Sequence, residues 1–419
     1  MKKHLFFIIF FAAIVFIFLG KIIFMKEFFI LGDYSLQHYP WSEAYSAAIK
    51  HFHFPFWCRY FHSGFPLMAE GQIGGFYPLN IIMFFVLPFK LAYNYSVVLH
   101  FVIAGIFAYA YTRKLGAEKW GASLSALLFC FASAYAGCFN NIATLRTLSW
   151  FPLVLLLIEY FLDTRRLHYI FIASLICGMQ FLAGFMQMAI YSFAFYMIYL
   201  LYQFRLRSFS IKERIRPIIA FLMISFIVAL PQVLLSVPLA QASNRTGASL
   251  GFALWKSFPL PCFLSAFFPS WLGIFAQQTY IGILSILFLI YVFVDFKRSR
   301  QIRPVVLIVA IAIFLALGKY NPLYAWFLDL IKLYSFRNPS RFLFFAMFGC
   351  SVLAGLGFSK FFQDKNEKQA RLASRLFVIL LAAVSGIYVM VKTMLVLFEK
   401  NIILLLHDYT AKHIFNTPY

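Results

Sequence analysis

The sequence predicts an all-α polytopic membrane protein, a bundle of about eleven transmembrane helices with a large first extracytoplasmic loop. Three observations predict it. Hydrophobic residues fill 63% of the 419 positions and charged ones only 12%, whereas a soluble domain carries roughly a quarter charged residues. Apolar runs of spanning or near-spanning length recur along the chain. The cations lie in short clusters between those runs, so the net charge of +22 reads as a set of orientation signals and gives no support to nucleic acid as a partner. Cys58, Cys130, Cys138, Cys177, Cys262 and Cys350 form no CxxC pair, and several sit in apolar runs as small hydrophobes, so no metal cluster or disulfide framework is read.

The first element is an apolar run from behind Met1-Lys-Lys-His to about Phe24. It is long enough to span, no small-x-small cleavage site follows it, and it reads as an uncleaved signal anchor. Further runs lie at 91–111, 120–137, 147–162, 169–184, 186–203, 217–236, 279–296, 304–317, 341–358 and 376–397. With that count every basic cluster falls on one side: Lys2/Lys3, Arg113/Lys114/Lys119, Arg165/Arg166, Arg205 to Arg216, Lys297 to Arg303 and Lys360 to Arg375. Basic loops are retained in the cytoplasm, so the N-terminus is expected inside, and segments 25–90, 138–146, 237–278, 318–340 and 398–419 outside. The expected organisation is one transmembrane domain over 1–398, with the candidate site in the 25–90 loop, and a short tail at 399–419 with no separate soluble domain.

Within the first loop, Leu31-Gly-Asp-Tyr-Ser-Leu-Gln-His-Tyr-Pro-Trp41 carries the chemistry. A carboxylate is costly in so apolar a chain unless it meets water or a polar cavity, which makes Asp33 the candidate reactive group; its simpler role is to end a helix or start a turn. Phe76 to Pro88 is apolar but too short to span, and Pro78 and Pro88 bracket it, as suits an interfacial or re-entrant segment. Outer segments also offer Gln37, His38, Trp41, Trp57 and Glu70, then Arg245, then Arg337 and Arg341. Few carboxylates among several cations suit an anionic lipid headgroup substrate handled by a single general base. The simpler role of the arginines is anchoring to headgroups at helix ends, and that of the aromatics an interfacial belt.

Several pieces together resemble a known group: Gly32 to Pro40; Phe54-Pro-Phe-Trp57 leading into Gly64 to Asn80; Pro231-Gln-Val and Ser243-Asn-Arg245; Tyr280 to Leu284; and Phe336-Arg-Asn-Pro-Ser-Arg-Phe342 ahead of Leu353 to Gly357. Their order across residues 30–360, in a bundle with an Asp shortly after helix one, resembles the GT-C superfamily of glycosyltransferases, and within it the YfhO-type bacterial membrane proteins. Longer members carry more helices and an outer C-terminal domain with no counterpart in the 399–419 tail.

The resemblance implies a GT-C-like bundle in the bacterial plasma membrane. It further implies inverting transfer of a sugar from a polyprenyl-phosphate donor to a cell-envelope glycan, lipid or polymer at the outer face. Asp33 would be the general base; Arg245, Arg337 or Arg341 would hold the phosphate through two-point guanidinium contacts. Gln37, His38 and Glu70 would position hydroxyls, and Trp41 or Trp57 would stack on a sugar ring. Some relatives by fold use a divalent metal held by acidic residues, but no DxD or EF-hand-like spacing is present and no cofactor is assigned. The rival readings are a transporter or flippase for lipid-linked glycans, which places ionisable residues near the midplane or repeats its halves, and a non-catalytic envelope assembly protein, which needs no Asp33. His100, alone in mid-span, reads as a hydrogen-bonded core histidine.

Overall fold

Each of the eleven apolar runs carries a helix. The computed structural model describes residues 2–24, 33–61, 63–131, 141–243, 247–266, 279–294, 302–332, 334–363 and 367–397. Among them no strand occurs, only an isolated bridge between Cys58 and Phe65. The helices are α1 Lys2–Ile23, α2 Tyr39–Lys50, α3 Leu67–Glu70, α4 Pro78–Val86, α5 Phe89–Lys114, α6 Lys119–Phe131, α7 Ile142–Leu148, α8 Phe151–Thr164 and α9 Leu167–Leu182. There follow α10 Met186–Leu206, α11 Ile211–Gln241, α12 Leu250–Ala253, α13 Ile283–Val294, α14 Arg303–Ala316, α15 Pro322–Ile331, α16 Leu343–Gln363 and α17 Glu367–Leu397. The chain divides into two units, Met1–Lys365 and Asn366–Tyr419. The second contributes the 31-residue α17.

Five stretches are long and apolar enough to cross a membrane: Phe89–Lys114, Ile142–Thr164, Ile211–Gln241, Pro339–Gln363 and, in the second unit, Lys368–Gly386. Six shorter apolar helices accompany them among the described residues. This is a helical membrane protein by length and composition. Burial separates the roles of the spans. The apolar window of α16 is 89% buried and that of α11 only 22%, so α16 forms the core of its unit. α11 instead turns Ile219, Leu222, Met223, Phe226 and Ile227 outward, a face suited to lipid and not to water. α16 reaches α6 closely because Gly121 and Gly355 meet there; a Cβ on Gly121 would stand 2.2 Å from the Gly355 carbonyl oxygen. With little hydrophobic drive between helices in lipid, such small-residue contact allows backbones to approach.

The short α4 spans the segment bracketed by prolines: Pro78 sits in its first turn, and the chain is extended at Leu87 before Pro88. The C-terminal carbonyls of α1 would be orphaned at a helix end. Asn94 Nδ2 donates to Ile22 O at 3.1 Å and Tyr95 Oη to Ile23 O at 3.3 Å, fixing α1 to the start of α5.

The two ends of the first unit differ in charge. At one end Glu159 of α8 is buried and accepts from Tyr199 and Gln203 of α10; Arg207, just past α10, reaches Glu159 at 2.8 Å and Asp163 at 2.6 Å. Lys114 at the end of α5 completes the ladder with Asp163 at 2.6 Å, and Arg165 meets Glu213 beside it. Every acid named there has a cation. The opposite end carries the first loop, tied down by α11, where Gln232 Nε2 donates to Met68 O at 3.0 Å and Ser236 Oγ to Ala69 O at 2.6 Å.

The ladder makes a stability forecast. Removing one partner of a buried pair leaves an uncompensated charge, at a cost of about 3–5 kcal/mol. Arg207→Gln is therefore expected to lower the unfolding temperature of the detergent-solubilised protein strongly, and Glu159→Gln added to it to recover most of the loss. A double variant no more stable than Arg207→Gln alone would show that the two charges are not coupled.

Candidate functional site

Asp33 opens a helical stretch in which Tyr34–His38 form a π-helical turn running directly into α2. The wider turn, a feature common at functional sites, sends Tyr34 and His38 inward, each 1% exposed, while Asp33 stays exposed. Asp33 makes no cap bond, and no hydrogen bond or ion pair engages its carboxylate among the described residues. Gln37 is half-buried. Trp41 is 5% exposed and stacks on Phe65, ring centroids 5.4 Å apart. It is a core ring and presents no open face to a sugar without moving. Trp57 does, being 64% exposed, with Gly64 behind it; a Cβ on Gly64 would stand 2.4 Å from the indole.

Beneath this stretch lies a group that sequence reasoning did not single out. Arg146 of α7 is 0% exposed. Its Nε donates to Ser96 Oγ of α5 at 3.0 Å and its Nη1 to Ile73 O of the first loop at 3.2 Å, while Nη2 has no acceptor. No carboxylate pairs with it among the described residues. Its electrostatic neighbours are the phenols of Tyr93, Tyr34, Tyr77 and Tyr45. Other buried atoms with no partner include His38 Nε2 and Ser42 Oγ, one helical turn apart, Ser42 on the face of α2 that also carries Tyr45.

The phenols are fixed in turn. Tyr45 Oη donates to Gly75 O at 2.8 Å. His100 Nδ1 lies 2.6 Å from Ser96 O, which only accepts, so Nδ1 carries the proton and the neutral ring's Nε2 takes the Tyr77 hydroxyl at 2.7 Å. Tyr77 Oη itself accepts from Trp150 Nε1 at 2.7 Å. His100 is thus a packed, hydrogen-bonded core histidine. Burial, and then the charge of Arg146, push the His38 imidazole down to about 3, so it is neutral at physiological pH. Burial pushes the phenol of Tyr45 up, and it stays protonated.

A second cluster gathers Glu70 and the arginine motif. Glu70 ends the one-turn α3, half-buried, and its carboxylate accepts from Gln72 N at 2.8 Å and from Gln72 Nε2 at 2.5 Å. Gln72 Oε1 accepts from Asn141 Nδ2 at 3.2 Å, and Asn141 also caps α7 through Thr144 N. Gly184, at φ +124°, backs onto Gln72 O, where a Cβ would come within 2.8 Å. The next residue, Phe185, lies under the Arg341 guanidinium at 4.8 Å. Arg341 Nη1 donates to Gln187 Oε1 at 2.6 Å, and Gln187 Nε2 to Arg337 O at 2.7 Å. Asn338 is left-handed at φ 69°, Pro339 starts a 3-10 turn, and α16 follows at Leu343, so the last residues of Arg-Asn-Pro-Ser-Arg do stand at a helix start.

The structure therefore brings Glu70 and Arg341 to one turn and directs Arg337 elsewhere, over the rings of Trp255 at 5.2 Å and Phe252 at 5.5 Å. No carboxylate pairs with the Arg337 guanidinium among the described residues. Asp33 contacts none of the three through a hydrogen bond or ion pair; the link between them is Arg146, which holds Ile73 close behind Glu70 and faces Tyr34 beside Asp33. Arg245 lies outside the described residues. The signal that would have found Arg146 is an arginine inside the apolar stretch Ile142–Phe151 with no acid in it. No protein-family model matches the chain, and no curated protein matches it.

The buried His38 has a measurable consequence. Between its folded value of about 3 and the ordinary value of about 6.5, the unfolded chain binds a proton that the folded protein does not, so stability is full above the upper bound and is lost as pH falls below it. Unfolding at pH 7 and pH 4.5 is expected to show this acid loss, and His38→Gln to reduce the slope by up to about 1.4 kcal/mol per pH unit. An unchanged slope would mean that His38 ionises freely in the folded state.

Proposed function

We propose that this protein is a membrane glycosyltransferase of the GT-C kind, acting at the outer face of a bacterial plasma membrane. In this reading the eleven helices form the transmembrane bundle, the N-terminus is cytoplasmic, and the first loop faces outward. The donor is a polyprenyl-phosphate sugar and the acceptor a hydroxyl of a cell-envelope glycan, lipid or polymer. The observation that carries the proposal is Asp33: an exposed carboxylate that no described residue engages, at the start of a π-helical turn at the end that bears the first loop.

In the proposed step the acceptor oxygen attacks the anomeric carbon, its proton passes to Asp33, and the carbon to phosphate-oxygen bond breaks with the electron pair leaving on phosphate, which inverts the centre. A phosphate leaves as a stable anion and needs little protonation. Arg341, held on Gln187, and Arg337 would offset its growing charge; Arg245 keeps its proposed share in that role. Glu70 and Gln37 would order hydroxyls, and Trp57 is the ring with an open face for stacking. His38 and Trp41 act in this reading as the floor under Asp33. A transporter of lipid-linked glycans is the second reading, favoured by one observation, the fully buried Arg146 in a spanning stretch.

Asp33→Asn separates the two. Asn preserves shape and turn-forming ability but accepts no proton near neutral pH. Transfer from a polyprenyl-phosphate sugar by the purified variant is expected to fall roughly 100- to 10,000-fold, with its unfolding temperature unchanged. Equal rates in the folded variant and the parent would remove Asp33 as base and leave the transporter reading in its place.

A further inference from the structure

We propose that the cleft between the α12 turn and the loop after α14 is a binding site for an anionic saccharide, a sugar ring bearing phosphate or carboxylate. The cleft has a volume of 360 Å³ and is lined by Trp255, Lys256, Ser257, Pro259, Lys319 and Tyr320. That volume lies in the ~300–1,000 Å³ range of small-molecule sites.

Its charge has one sign. Lys256 Nζ lies 4.5 Å from the centroid of the Trp255 ring, Lys319 Nζ 5.1 Å from that of Tyr320, and the Arg337 guanidinium 5.2 Å from that of Trp255. Among the described residues none of these three cations has a carboxylate partner. Asp329 of α15 is taken by Lys332 and Tyr334. Resting on π faces holds each cation in place without neutralising it, which leaves the full charge for an incoming anion. The aromatic component decides the rest of the ligand. Trp255 and Tyr320 are each about half exposed, at 49% and 48%, and flat amphipathic faces of this kind suit the apolar side of a sugar ring.

The floor is built. Ser257 Oγ accepts from Lys319 N at 2.8 Å and donates to Leu254 O, joining the two lysine-bearing segments. Phe258 N donates to Ala316 O at 2.9 Å. Gly318, at φ +52°, lies against Ser257, where a Cβ would stand 2.1 Å from the hydroxyl. Lys256 itself is held at φ 56°, a left-handed conformation that a non-glycine residue keeps only where the surroundings over-determine it. Such strain, next to the cations and rings, is consistent with a preorganised site.

Identifying this ligand as the transfer acceptor rests on the proposed reaction; the binding itself does not. The test uses the full chain in nanodiscs of phosphatidylcholine and reads binding by tryptophan fluorescence and calorimetry. The probes are glucose 6-phosphate, glucuronate, glucose and inorganic phosphate. Both charged sugars are expected to bind at least roughly tenfold more tightly than glucose or phosphate alone, and Trp255→Ala, Lys256→Gln and Lys319→Gln each to weaken them roughly tenfold. Lys256→Arg and Lys319→Arg, which keep the charge, are expected to retain binding, and unfolding temperatures certify that each variant is folded. Inorganic phosphate binding as tightly as the charged sugars would overturn the saccharide assignment, as would binding insensitive to Trp255→Ala. Loss of sugar binding on adding phosphatidylglycerol would overturn it in favour of a lipid headgroup. Asp33→Asn is expected to leave the affinities unchanged, so a cleft that binds in a protein that transfers nothing stands apart from the proposed reaction.

Discussion

A guanidinium sealed from water, with no carboxylate to meet it among the described residues, is the constraint on which the loop end of this protein depends. An isolated buried charge is expensive in an apolar interior, and Arg146 is fully buried. Its compensation comes from oxygens that carry no formal charge: the hydroxyl of Ser96, the carbonyl of Ile73, and the dipoles of four surrounding phenols. Those oxygens belong to α5, to the first loop, and to the Tyr34 turn with α2. The charge is therefore tolerable only while all of them stand in place, which makes Arg146 a tether between the first loop and the helices below it. Asp33 lies beside one of the phenols and Glu70 close to the tethered carbonyl, so both carboxylates ride on the same fixed point.

The treatment of charge at the opposite end is different in kind. Glu159, Asp163 and Glu213 each meet a cation there, and Tyr199 and Gln203 satisfy the remaining acceptor capacity of Glu159. The pairs of Glu159 and Asp163 with Arg207 and Lys114 clamp α5, α8 and α10 together. At the loop end Arg146 rests on carbonyl, hydroxyl and phenols, Arg337 and Lys256 on Trp255 and Lys319 on Tyr320, while Lys332 meets Asp329. Positive charge held in this way remains available to a ligand, because π faces and dipoles position it without cancelling it.

The helices were legible because an apolar run in a chain this hydrophobic has only one way to satisfy its backbone. The proline signals were equally direct: Pro78 opens α4, and Pro339 holds Asn338 outside helical geometry ahead of α16. Which runs are long enough to span was less legible. The run at 279–296 holds the 12-residue α13 among the described residues and the run at 304–317 is filled by the 14-residue α14, both shorter than the roughly 20 residues that a span needs. Side-chain direction was least legible of all. A single π turn decides that His38 and Trp41 face the core while Asp33 faces out, and hydrophobic periodicity at 3.6 residues carries no mark of it. The cleft was hidden for a different reason. Lys256 and Lys319 lie on segments far apart in the chain, and the bonds from Lys319 N to the Ser257 hydroxyl and from Phe258 N to Ala316 O bring them to one wall.

The division between buried and exposed groups bears on how a base at Asp33 would operate. A carboxylate paired with a nearby cation resists taking a proton, since the pair favours its charged form. Asp33 has no such partner among the described residues, and Tyr34 and His38, which face inward toward the charge of Arg146, leave Asp33 facing out. Neutral His38 adds no competing charge. In the proposed reaction the cations at Arg337, Arg341 and the Trp255 cleft would meet the anionic leaving group or ligand, and none of them pairs with Asp33 among the described residues. That separation of cation from base is what a single-carboxylate mechanism requires. In this chain it follows from where one turn widens and where one arginine is buried.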